Sequence, residues 1–86
     1  MANHQSALKR IRQTERRTAR NRYIRSTMRT HIKKVRTLAE AGDKAAAQEA
    51  LAAAIVKIDK ARSKGVIHRN QASRRVSRLT LLVNGL

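Results

Sequence analysis

Lys9, Arg12, Arg16 and Arg20 step along the chain by 3, 4 and 4 residues, and Arg22, Arg25, Arg29, Lys33 and Arg36 by 3, 4, 4 and 3. At 100° per helical residue each set falls in one row, and the two rows face directions roughly 140° apart. Rows of cations match rows of anionic oxygens. Arg, which outnumbers Lys 14 to 7, has a planar fork that binds phosphate or guanine edges bidentately and stacks on bases. A flat membrane or a single groove meets only one row. Two rows on different sides suit a helix lodged between nucleic-acid segments, each row tracking a phosphate backbone. A surface charged only for solubility does not require what residues 9–36 show, namely twelve Lys or Arg against a single acid, Glu15.

Other chemistry is thinly represented. His4, His31 and His68 are far apart in sequence and lack ligand-like spacing, which favours surface or capping roles over metal binding. The acids are too few and scattered for a general acid/base pair, and the hydroxyls show no nucleophile motif. The absence of Cys excludes disulfides, thiolate zinc sites and thiol redox chemistry, and it fits a reducing compartment. No enzymatic activity, metal, cofactor or small-molecule substrate is expected. Tyr23 is the only aromatic residue, so there is no base-stacking platform of the kind found in single-strand binders. It is expected to pack beside the core, as is Met28. Asn70 suits either a helix cap or an RNA contact.

Eighty-six residues make one small domain, near the size at which a single core is only marginally stabilising. Its net charge of +16 and sequence pI of about 12.0 point to a polyanionic partner. No apolar run approaches the length of a transmembrane helix, and no signal-peptide core follows the N-terminus, so a soluble, unexported protein is expected. The Arg-rich, acid-poor start can also imitate an organellar transit peptide.

The elements that must hold the two rows are helical. Residues 9–36 contain neither Gly nor Pro and are rich in helix formers. The spacing predicts a first helix over 6–41, with Asn3 or Ser6 as cap. Ile24, Met28, Ile32, Val35 and Ala39 step by 4, 4, 3 and 4 to form a core stripe. Residues 12–22 offer only Ala19 as an apolar side chain, so the first half has no comparable face. Gly42 suits a left-handed helix end and Asp43 the cap of a second helix over 44–64. Its stripe is Ala47, Leu51, Ala54, Ile55, Ile58 and Ala61, and the alanines permit close approach. Gly65 stops it, and His68 or Asn70 caps a third helix over 69–84. There Ala72, Val76, Leu79, Val83 and Leu86 face the core, with Arg74, Arg75 and Arg78 roughly opposite. The expected fold is all-α, an up-down-up three-helix bundle with an over-long, highly basic first helix. About 35 residues at about 1.5 Å each outrun a partner of about 30 Å by roughly 20 Å. That overhang is expected to fray in the free protein.

Three stretches in order, ANHQSALKR, MRTHIKKVRTLAEAGDKAAA and KIDKARSKGVIHRNQASRRVSRL, resemble the bacterial small-subunit ribosomal protein family S-twenty over nearly the whole chain. The resemblance implies a three-helix bundle of the 30S subunit, cytoplasmic and ribosome-bound. It implies direct binding to 16S ribosomal RNA during assembly, with contacts to the 5′ domain and the long 3′ minor-domain helix. Carried over by position, the RNA contacts on the first helix are Lys9, Arg10, Arg12, Arg16, Arg17, Arg20, Arg22, Arg25, Arg29, Lys33 and Lys34. Those further along are Lys64, His68, Arg69, Asn70, Arg74, Arg75 and Arg78. Gln5 departs from the Lys that the resemblance implies at this position, so a phosphate contact is not carried over there.

Composition alone also permits a nucleoid-type DNA-binding protein, but no helix-turn-helix pattern or minor-groove wedge residue supports it. A membrane-surface helix calls for Trp or Phe on the apolar face, and the chain has neither.

Overall fold

The structure, a computed structural model, describes residues 2–86, with side chains from His4 onward. It consists of α1 (Ala2–Glu40), α2 (Lys44–Ser63) and α3 (Arg69–Asn84), up, down and up, each in contact with the other two. These bounds lie within one residue of the predicted ones except at the start of α1. That helix begins at Ala2, so Ser6 lies inside it and is not its cap; the side chain of Asn3 falls outside the described residues.

Both turns follow from their glycines. After α1, Gly42 adopts φ +75°; its N–H donates to the Ala39 carbonyl at 3.0 Å and the Asp43 N–H donates to Leu38 at 3.2 Å. After α2, Gly65 adopts φ +74°, with the Gly65 N–H donating to Arg62 at 3.0 Å and the Val66 N–H to Ala61 at 2.9 Å. Both are Schellman motifs, in which a left-handed residue satisfies carbonyls that the ending helix leaves open. The next helix is capped at once in each case. The Asp43 Oδ1 accepts from the Ala46 N–H at 3.1 Å, and the His68 Nδ1 accepts from the Asn70 N–H at 3.1 Å.

The core lies where the spacing puts it. Ile24, Met28, Ile32, Val35 and Ala39 of α1 are all buried, against Ala47, Ala54, Ile58 and Ala61 of α2 and Ala72, Leu79 and Val83 of α3. Leu51, Ile55 and Val76 are half-buried at its edges. Ala50 and Ile67, outside the predicted stripes, are buried as well. Ala50 flanks Ala61 on the helical wheel, and Ile67 folds inward from the α2–α3 connection.

Three expectations fail for geometric reasons. Tyr23 is 70% exposed, because adjacency to Ile24 in sequence turns it about 140° from the middle of the core stripe. Leu86 is exposed, since α3 ends at Asn84 and helical spacing carries no meaning beyond it. Arg75 does not stand opposite the α3 stripe. It sits about 70° from the stripe's middle and is half-buried, whereas Arg74 and Arg78 face outward as expected.

The molecule is long and thin. Its backbone extends 63 × 21 × 14 Å with a radius of gyration of 17.4 Å, against about 12 Å for a compact chain of this length. Every residue from His4 to Arg20 is exposed. About 25 Å of α1, at 1.5 Å per residue, therefore projects beyond its own bundle. Ile58 is fully buried at the centre of α2's packing, and Ile58→Ala is expected to cost about 2–5 kcal/mol of folding stability. Denaturant unfolding measures it; an unchanged midpoint would place the core elsewhere.

Candidate nucleic-acid interface

Along the projecting part of α1 the cations share one broad side. Lys9, Arg12 and Arg16 line one shallow groove together with Gln13, and Gln13, Arg16, Arg17 and Arg20 line the next. Arg10 and Arg17 add a flank that the two-row reading does not assign, on the azimuth that becomes the core stripe further along. The side away from these grooves carries Ile11, exposed, and Glu15, while Leu8, also exposed, lies between, at the rim of the first groove. Asn21, whose Oδ1 accepts from the Arg20 guanidinium at 3.3 Å, marks a change of side. From Arg22 onward the cations occupy the direction that Leu8 and Ile11 hold before it.

That second row runs beside the bundle. Arg22, Arg25, Arg29 and Lys33 line one groove with Ser26 and Thr30. Arg25 reaches across to donate from Nη2 to the Val66 carbonyl at 3.4 Å. This contact holds the α2–α3 connection against the row, so that Lys64, His68 and Arg69, all exposed, extend the same basic surface. Because Nδ1 of His68 accepts the capping bond, its neutral imidazole carries the hydrogen on Nε2, which remains available as an outward donor. Asn70, in the first turn of α3, is exposed; with the cap already filled, its side chain is free for a partner. At the far end Arg36 meets Arg74, Arg75 and Arg78 in a groove between α1 and α3, floored by Ile32 and Leu79.

The row reading thus locates most of the basic surface, while Lys34 stands apart, exposed on the azimuth of the first row. Arg36 belongs to the second row but not to the contacts implied by resemblance, and its convergence with α3 is visible only in three dimensions. Tyr23, read as core, instead continues the azimuth of Lys9, Arg12, Arg16 and Arg20 three residues further on. Among the described residues no group of three or more His, Cys, Asp or Glu side chains gathers as a metal site. No helix among them is long and apolar enough to cross a membrane.

Residues 2–84 match the family described as Ribosomal protein S20. The chain belongs to the ribosomal protein S20 family. The Small ribosomal subunit protein bS20 of Geotalea uraniireducens (strain Rf4) is 69% identical over 86 residues, covering 100% of this chain and 99% of that protein. The proteins of the same name from Geotalea daltonii (strain DSM 22248 / JCM 15807 / FRC-32) and Geobacter metallireducens (strain ATCC 53774 / DSM 7210 / GS-15) are 67% and 63% identical, with the same coverage. Membership makes it a ribosomal protein and not an enzyme, and the three-helix bundle that the resemblance implied is the fold described above.

An exposed Tyr23 contributes little to folding. Tyr23→Ala is expected to leave folding stability within about 0.5 kcal/mol of the wild type, as read by thermal melting; a loss of several kcal/mol would return the ring to the core.

Proposed function

We propose that this chain is a structural constituent of the small ribosomal subunit that binds 16S ribosomal RNA directly. It neutralises phosphates where RNA helices converge and so permits packing that their mutual repulsion opposes. Residues 1–86 act as one RNA-binding domain on the cytoplasmic ribosome, and no chemical step is performed. The observation that carries this reading is the projecting part of α1, exposed along its whole length from His4 to Arg20 and lined by cations. A helix with no core face gains nothing from its own bundle; its order and its charge are both accounted for by a surrounding polyanion.

The two parts of α1 divide the work. Lys9 through Arg20 lie within the RNA, and Arg22 through Lys34 face it along the bundle. Lys64, His68, Arg69 and Asn70 join from the connection, and Arg74, Arg75 and Arg78 from α3. The 5′ domain and the 3′ minor domain of the RNA are the two bodies so bridged. The divided cationic surface supports a bridging role, and the choice of these two domains rests on the family resemblance.

Neutralisation of about eight phosphates predicts that log K falls against log salt with a slope of about −6 to −7. Titration of a 16S fragment across salt concentrations measures it, and a slope near zero contradicts the mechanism. The same titration with duplex DNA of matched length as competitor separates the readings: equal affinity favours a DNA-binding protein. Replacing Arg12, Arg16 and Arg20 together with Ala is expected to weaken RNA binding while melting of the free protein stays nearly unchanged. A large fall in melting temperature would show that the first row belongs to the fold.

A further inference from the structure

We infer that the groove between α1 and α3 is a discrete seat for a phosphate group, and that filling it fastens α3 to the long helix. The inference rests on the RNA-binding reading and adds to it a built site and a coupling between binding and folding. The other three basic grooves each lie on α1 alone. This one, about 170 Å³, takes Arg36 from α1 and Gln71, Arg74, Arg75 and Arg78 from α3.

Four arginines line this groove and no carboxylate does. The five acids of the chain are Glu15, Glu40, Asp43, Glu49 and Asp59, none of them on α3. The floor is apolar, since Ile32 and Leu79 are both buried, and an apolar floor strengthens like-charge repulsion in the free protein as much as it strengthens attraction for an anion. Arg75 is the sharpest sign of an absent partner. Its Nε is sealed from solvent and has no hydrogen-bond partner, although a buried donor of this kind is ordinarily satisfied. Turning the side chain outward frees Nε and one η nitrogen together, the pair with which Arg grips a phosphate bidentately. Gln71 supplies a neutral amide donor on the same wall. The chemistry specified is a tetrahedral oxyanion with several acceptor oxygens. In the assembled state this is a backbone phosphate of RNA; inorganic phosphate presents the same group.

A ligand that binds only when α1 and α3 are side by side must stabilise the fold by mass action. The full chain is melted in sodium phosphate and in sodium chloride at equal ionic strength, followed by circular dichroism. The expected result is a melting temperature that rises saturably with phosphate over chloride. Arg75→Gln and Arg36→Gln should each abolish the difference, while Arg12→Gln, on the projecting part of α1, should keep it. Arg75→Met, which removes the repulsion and the stranded donor, should melt higher than wild type in low salt without phosphate. In a parallel titration with a 16S fragment, Arg75→Gln should bind about tenfold or more weakly, by the usual strength of a charge-assisted bond. No phosphate increment in the wild type, or an equal increment in all variants, overturns the seat even where RNA binding is strong. A saturable increment lost only in the groove variants upholds the seat even if the fragment fails to bind, an outcome that would sink the RNA reading alone.

Discussion

Charge imbalance governs this molecule. With 21 basic and five acidic residues in 86, most cations have no carboxylate to meet, and their mutual repulsion opposes any arrangement that gathers them. The fold answers by distributing them. On the projecting part of α1 they occupy a side with no protein beneath it, beside the bundle they move to the flank, and α2 between Lys44 and Ser63 carries only four of the 21, partly offset by Glu49 and Asp59. The apolar side chains that do the holding are correspondingly confined to narrow stripes, and many are alanine, which lets thin helices approach closely without bulky filling.

Precision at the two turns is what makes so small a core sufficient. Each turn combines a left-handed glycine with a side-chain cap, so helix ends that lie outside the core are satisfied locally. The second turn does more. His68 caps α3, Ile67 anchors the connection in the core, and Arg25 reaches the Val66 carbonyl. The start of α3 is thus held by one core residue, Ile67, and by two residues of the basic surface, Arg25 and His68, while Ala72, Leu79 and Val83 seat the rest of the helix in the core.

Periodicity made the three helices and nearly every core residue legible, because a side chain's azimuth follows from its number so long as the helix continues. It failed where that condition failed, at Leu86 beyond the end of α3; Tyr23 lies inside α1, but a neighbour in sequence is turned 100° on the helix and leaves the core face. Arg10 and Arg17 were not placed by the rows because their azimuth is core only after Ile24. The groove at Arg36 was illegible for a different reason: nothing in one helix states which neighbour will lie alongside it, so residues 36 and 75 acquire a relation only through packing. Charge alone called for a polyanionic partner and left RNA and DNA both open, whereas the ribosome entered through resemblance and was then matched by family membership over residues 2–84.

The thinness of the bundle has a consequence for how much the molecule can touch. Its accessible surface is 6633 Å², whereas a compact protein of this mass would expose about 5,100 Å². The excess is about 1,500 Å², nearly twice the roughly 800 Å² that each partner contributes to a standard protein–protein complex. An elongated outline therefore endows a chain of fewer than ninety residues with a whole additional interface, and equips it to fill a seam between larger bodies, as mortar does between blocks.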